Sequence, residues 1–250
     1  MSKIAIVTGG SRGIGRSTVV ALANRGFDTI LTYNTNSEEA DTAVKLVQES
    51  GRKAVALKLD VSNTSTFDAF VTSVKEALSA TWGKDRFDIL VNNAGTAHHG
   101  TFASTTEEEL DTLYNIHIKG VFFLTQKLLP IMNDGGEIVN VSTGLTRIIV
   151  GSPPYAAVKG AIEVLTKYQA KELGPRRIKV NVVAPGAIQT DFSGGMVRDN
   201  PQVNKMVSDM TALGRPGLPE DLGMMIASLV SEENRWVNAQ RIEVSGGMGI

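Results

Sequence analysis

The sequence predicts a doubly wound α/β fold: seven strands in a mostly parallel sheet, with helices on both faces. Three observations carry this. Short apolar, β-branched runs alternate with segments of helical periodicity along the chain. A glycine-rich turn, Thr8 to Gly15, joins the first run to the first helical segment. The 250 residues, 42% hydrophobic and 20% charged, contain no repeat, low-complexity tract or break in composition. The expectation is therefore a single domain over residues 1–250.

The runs Ile4–Val7, Thr29–Tyr33, Ala54–Leu59, Ile89–Val91, Ile138–Val141, Val180–Val183 and Ile242–Val244 lack polar alternation. Strands covered on both faces have that pattern. Between them, residues 14–25, 38–50, 64–80, 107–132, 155–173 and 219–230 carry apolar side chains at spacings of three and four, as amphipathic helices do. Ser37 is the expected N-cap of the second helix, with Glu38 and Glu39 in its first turn at the positive end of the dipole. Pro153-Pro154 should stiffen the chain just before the fifth helix. Loops 96–103, 143–154 and 191–212 are long enough to wall a pocket, and Gly194-Gly195 reads as a hinge in the last.

The formal net charge of -1 gives no basic footprint for nucleic acid. Without cysteine there are no disulfides, thiolate nucleophiles or thiolate zinc cages. Three histidines, His98, His99 and His117, are too few for a histidine-rich metal site, so no metal is expected. His98-His99 could touch a substrate, and His117 is expected to be structural. No window approaches the ~18 consecutive apolar residues of a membrane span. No signal-like segment precedes the first strand, so a cytoplasmic protein without a membrane partner is expected.

Gly9, Gly13 and Gly15 lie in a strand-to-helix turn, where backbone can approach a pyrophosphate resting on the helix N-terminus. The spacing is neither G-x-G-x-x-G nor a P-loop. Thr8-Gly9-x-x-x-Gly13-x-Gly15 resembles the short-chain dehydrogenase/reductase family, in its compact branch. Asn92-Asn93-Ala94-Gly95, Tyr155-x-x-x-Lys159, Pro185-Gly186, Leu213-Gly214-Arg215-Pro216 and Val244-Ser245-Gly246-Gly247 extend the resemblance over most of the chain. It departs at Ser245, where relatives usually carry Asp, and at Val158, often Ser in relatives.

The resemblance implies a Rossmann fold binding a nicotinamide dinucleotide through Gly9, Ser11, Arg12, Gly13, Ile14 and Gly15. It places Asp60 and Val61 at the adenine, and Asn92, Ala94 and Gly95 under the cofactor. Pro185, Gly186, Ile188 and Thr190 fall beside the carboxamide, with Tyr155 and Lys159 at the nicotinamide ribose. The second strand ends Asn34-Thr35-Asn36, without the acid that binds a ribose 2′-hydroxyl in NAD-specific folds. Arg12 matches the 2′-phosphate anchor of NADP-using relatives. Both features point to NADP(H), with NAD possible.

Tyr155 and Lys159, one helical turn apart, share a face. A phenol titrates near 10, and a neighbouring ammonium favours phenolate. Ser142 ends the fifth strand, where a hydroxyl could donate to a substrate carbonyl. The resemblance makes Asn115 the fourth member of the catalytic set, a relay toward the lysine. The expected activity is hydride transfer between NADP(H) and a ketone or secondary alcohol, with Tyr155 as acid/base. The pocket would be lined by Phe102, Leu145, Ile148, Ile149, Val150, Phe192 and Met196, suiting a small, largely apolar substrate. A 3-oxoacyl-acyl-carrier-protein reductase is the rival enzyme, and a non-catalytic nucleotide-binding regulator the rival of another class. Relatives of this type are commonly homotetramers.

Overall fold

The computed structural model describes residues 2–250. The strands are β1 (Ile4–Val7), β2 (Asp28–Tyr33), β3 (Ala54–Lys58), β4 (Phe87–Asn92), β5 (Met132–Val141), β6 (Lys179–Pro185) and β7 (Arg241–Val244). They form one sheet in the order β3-β2-β1-β4-β5-β6-β7. Every ladder is parallel. The expected doubly wound Rossmann architecture is what the chain forms, and each predicted strand lies within one residue of an observed strand or inside it.

Strand alternation divides the core into two layers. Ala5, Val7, Leu31, Val91, Val139 and Val183 face α1 (Gly13–Asn24), α2 (Ser37–Glu49) and, at Leu222 and Ile226, the later helix Pro219–Leu229. Ile4, Ile6, Ile30, Leu90, Ile138 and Val180 face α3 (Phe67–Trp82) and the segment Val121–Leu128. The predicted helix 107–132 is interrupted. It comprises α4 (Glu107–Tyr114), a π-helical turn over Asn115–Gly120, α5 (Val121–Leu128) and a short 3-10 turn. α6 (Pro153–Glu172) carries both prolines in its first turn. Two short helices that periodicity did not reveal, α7 (Met196–Asp199) and α8 (Pro201–Asp209), occupy loop 191–212, ahead of α9 (Pro219–Leu229). Among the described residues, no helix is long and apolar enough to cross a membrane.

The chain winds outward in one direction through β1, β2 and β3, then crosses back to place β4 beside β1. That reversal opens a crevice at the carboxyl ends of β1 and β4, the position where open α/β sheets bind ligands. The far side of the crevice is set by α6, which a buried amide network ties to the sheet. Asn140 Nδ2 donates to Thr166 Oγ1 (2.9 Å) and Gln169 Oε1 (3.0 Å) on α6, while its Oδ1 accepts from Asn92 Nδ2 of β4 (2.9 Å). Asn140→Ala leaves buried partners unpaired. It should cost about 2–3 kcal/mol, seen as a lower urea midpoint at unchanged slope.

Candidate active site

The glycine turn enters α1 with Arg12 as an extended N-cap residue that makes no side-chain cap, and the first turn holds no acid. By contrast, α2 and α4 close their N-termini with Asn36 and with a Thr106–Glu109 capping box. The leading N–H groups of α1 are thus left facing the crevice, where an anion can meet them. The turn is held from beneath. Asn93 Nδ2 donates to the carbonyls of Thr8 (2.9 Å) and Gly9 (3.2 Å), and Thr8 Oγ1 accepts from the backbone of Asn93 and Ala94. Gly9 has φ +65°, and a Cβ there would sit 3.0 Å from Ala94 Cα. At Gly15 a Cβ would fall 2.1 Å from the Gly9 carbonyl, so this glycine serves closure of the turn itself. Asn93, which spacing alone did not mark, is the residue that joins the turn to β4.

Around the turn, Asn34, Thr35 and Asn36 are exposed at the end of β2. Asn36, rather than Ser37, caps α2: its Oδ1 accepts from Glu39 N at 3.1 Å. Glu39 is ion-paired with Arg16, whose Nε also donates to the Ser11 carbonyl. Arg12 is exposed and forms no ion pair among the described residues. Ile14 packs partly against the core. Asp60 accepts from the backbone and hydroxyl of Ser62 in a local turn, and the Val61 carbonyl lies against Gly120.

Three of the expected cofactor positions also serve the chain's own packing. Asn92 points inward, with its amide donating to Thr125 and Asn140, so it braces the sheet. Gly95 is required by an imidazole, described below. A Cβ on Gly186 would sit 2.9 Å from Ser245, so this glycine is small because of the C-terminal turn. Ala94 lies at the turn, Pro185 ends β6 and Ile188 bridges Gly217. Thr190 stands 3.4 Å from the Cβ position of Gly13. An uncapped helix start, glycines with no room for a Cβ, and a free arginine beside neutral residues fit a dinucleotide carrying a 2′-phosphate.

Tyr155 and Lys159 meet on the inner face of α6, 9% and 5% exposed. Lys159 Nζ donates to the Val141 carbonyl (2.7 Å) and lies 5.7 Å from the Tyr155 ring centroid. Burial pushes the phenol of Tyr155 upward and the ammonium of Lys159 down to about 7. In the absence of a bound partner, the dry site favours the neutral form of both.

His117, expected to be structural and to face elsewhere, lies beside this pair. His117 is 1% exposed and meets Tyr155 edge-to-face, with centroids 5.3 Å apart at 84°. Its Nε2 lies 2.9 Å from the Thr96 carbonyl. A Cβ on Gly95 would fall 2.6 Å from His117 Cε1, so the Asn92–Gly95 segment ends in glycine to admit the ring. Asn115, two residues earlier at the start of the π turn, makes no side-chain hydrogen bond among the described residues. The π turn, held close to Val61 by Gly120, presents His117 to the site.

Ser142 is at the expected strand end, but its hydroxyl is committed. It donates to Glu163 Oε1 (2.8 Å) and lies 3.3 Å from the Lys159 carbonyl. Glu163 Oε1 also accepts from Thr146 Oγ1 and Arg241 Nε, both at 2.8 Å. The hub fastens the 143–147 turn to α6 and β7. The next hydroxyl, Thr143, accepts from Leu145 N at 3.3 Å and donates to no group among the described residues.

The mouth above Tyr155 is apolar. Leu113, Val158, Ile118 and Leu145 pack around the tyrosine, and Phe192 lies 6.1 Å from it. Of the other expected lining residues, Phe102, Ile149, Val150 and Met196 are exposed, whereas Ile148 is buried against Gly249. His98 does not reach into the mouth as a free side chain: Nδ1 lies 2.7 Å from Ser152 Oγ, and Nε2 3.5 Å from Glu109. The Gly194-Gly195 segment is a left-handed turn, with Ser193, Gly194 and Gly195 at φ 59°, 66° and 76°. Among the described residues no three potential ligands cluster to hold a metal.

A family model described as Enoyl-(Acyl carrier protein) reductase matches residues 9–249. The chain is 33% identical to the trihydroxynaphthalene reductase PfmaI of Pestalotiopsis fici, over 98% of this chain and 88% of that protein. It superposes on the promiscuous reductase LugOII, which catalyzes keto-reduction at C1 during lugdunomycin biosynthesis. The TM-score is 0.94 at 35% identity, over 99% of this chain and 98% of that one. The angucycline C-6 ketoreductase LanV, solved with bound NADP, gives 0.93 at 34% identity, over 98% and 95%.

Gly95→Ala should drive a methyl into the buried imidazole, at a cost of about 1–3 kcal/mol. In a His117→Ala background the same change should cost little. A double-mutant cycle by denaturant unfolding checks this, and additive effects would contradict the contact.

Proposed function

The chain belongs to the short-chain dehydrogenase/reductase family, and within it we propose an NADPH-dependent ketoreductase that uses Tyr155 as proton donor. The observation that carries this reading is the Tyr155–Lys159 pair, buried at the carboxyl end of the sheet beside an uncapped, glycine-lined helix start. Relatives that are ketoreductases, one of them with NADP bound, support it.

When bound, NADPH supplies the hydride. Gly9, Ser11, Arg12, Gly13, Ile14 and Gly15 would hold its pyrophosphate and 2′-phosphate, Asn34, Thr35 and Asn36 the adenosine ribose edge. Asp60 and Val61 would border the adenine, with Ala94, Pro185, Ile188 and Thr190 toward the nicotinamide. The remaining work falls to the chain's own groups. Tyr155 delivers its phenolic proton to the carbonyl oxygen as that oxygen gains charge. Lys159, as ammonium, lowers the energy of the phenolate left behind. A hydroxyl at the end of β5 donates to the same oxygen. Thr143, with its proton uncommitted, is better prepared for this than Ser142, whose proton would first have to leave a carboxylate.

The apolar surroundings of Tyr155, with Phe192 beside it, support an apolar ketone as substrate. Loops 96–103, 143–154 and 191–212 would set its shape. Exposed Phe122 and Phe123 on α5, with Val164 and Tyr168 on α6, support assembly into a homotetramer.

The first test is turnover of a ketone panel with NADPH. Tyr155→Phe should abolish it, by about 10³-fold or more, with the cofactor still bound. Full activity in that variant would refute the reading, and acyl-carrier-protein thioesters reduced far faster than free ketones would replace the substrate class. Thr143→Val should lower kcat more than Ser142→Ala, by about tenfold. The opposite order returns the polarising role to Ser142. Arg12→Ala should raise the KM for NADPH by about tenfold or more, with little effect on NADH. A wild-type preference for NADH would overturn the cofactor assignment.

A further inference from the structure

His117 belongs to no expected catalytic set, yet it touches the tyrosine on which the proposed reaction depends. Its ring is enclosed by Tyr155 on one side and Gly95 on another, with Thr96 accepting from one end. Nε2 lies 2.9 Å from the Thr96 carbonyl and 3.4 Å from the Thr96 N–H, and the shorter contact, to a carbonyl that can only accept, places a proton on Nε2. Nδ1 then carries a lone pair, and this atom is buried without any hydrogen-bond partner. A buried acceptor left open is costly in an ordinary core. Here the imidazole and the Lys159 ammonium both lie within 6 Å of the Tyr155 ring centroid, at 5.3 and 5.7 Å, and the lysine has only the Val141 carbonyl to donate to.

We propose that His117 is a positioning residue for the Tyr155–Lys159 pair: fixed as its Nε2–H tautomer by Thr96, it keeps Nδ1 open as an acceptor that the Lys159 ammonium, which donates only to Val141 in this structure, takes up when the site is charged. No proton is transferred at His117. The acceptor stabilises the charged form of Lys159 inside the dry site, and that charge in turn favours the phenolate of Tyr155. The titratable groups facing the imidazole are Lys159 and Tyr155 from α6, while Gly95 and Thr96 of the strand-end loop are uncharged. Burial first, and the Lys159 charge second, hold the imidazole well below its usual range, so it is neutral at neutral pH as an acceptor must be.

The kinetic role rests on the ketoreductase reading, but the tautomer can be measured without turnover. In protein labelled with ¹⁵N-histidine, His117 should show a protonated Nε2 and an unprotonated Nδ1 through the neutral range, and Lys159→Met should shift the Nδ1 resonance. A proton on Nδ1, or an Nδ1 indifferent to Lys159→Met, overturns the proposal even if the enzyme reduces ketones. Kinetically, His117→Phe keeps the aromatic edge against Tyr155 but lacks the lone pair. It should lower kcat by about tenfold and raise the alkaline-to-neutral limb assigned to Tyr155 by about one pH unit, with KM little changed. His117→Asn places an amide oxygen where Nδ1 stood and should recover most of kcat and the original limb. Equal losses in both variants with an unmoved pH limb would mean that the ring acts only as packing, and would overturn the proposal. Absence of ketone turnover in the wild type would instead count against the proposed activity, leaving the resonance test standing.

Discussion

A lysine buried without a carboxylate is the constraint around which the site is built. Lys159 is nearly inaccessible, and its ammonium donates to a single backbone carbonyl. Glu163, one turn further along α6, does not serve as its counter-ion, because Arg241, Ser142 and Thr146 already engage it. Burial therefore works against the charge on Lys159 and against ionisation of Tyr155 together. Any group that brings an acceptor to the lysine, or positive charge near the phenol, shifts this balance toward the ion pair that proton delivery requires. A dry, under-partnered pair is poised for that response in a way that a solvated pair could not be.

Such a pair needs a rigid mount. α6 is attached to the sheet at two levels: Asn140 reaches Thr166 and Gln169 in its C-terminal half, and the Glu163 hub at its middle gathers the end of β5, the following turn and β7. The tyrosine itself sits in the first turn behind two prolines, which have no N–H to satisfy there and restrict the approach of the chain. Polar groups that could have been mistaken for ligand contacts, notably Asn92 and Ser142, are part of this framework.

The opposite wall is built by contrast. The starts of α2, α4 and α8 are closed by side chains, while that of α1 is open and its neighbouring Arg12 forms no ion pair among the described residues. Arg16 removes the nearby carboxylate of Glu39 from play by pairing with it. The crevice is thus electrostatically receptive to phosphate on one side and apolar on the other, around Phe192, Leu145 and Leu113. Hydride donor and apolar acceptor would meet over Tyr155.

Much of this was legible in the residues. Strand positions follow from apolar runs, because a strand covered on both faces has no polar side to show. The glycine turn and the Tyr155–Lys159 spacing are local, so chain separation alone puts their members together. The interruption of helix 107–132 was hidden, since a π turn changes hydrogen-bond register without changing composition. So were α7 and α8, too short for periodicity to register. What only the tertiary structure decided is which side chains meet: His117 against Tyr155, and Ser142 with its proton committed to Glu163 while the adjacent Thr143 hydroxyl stays uncommitted. Residues one or two apart on a helix or strand point in different directions, and what each meets rests on partners far away in the chain, Gly95 and Glu163.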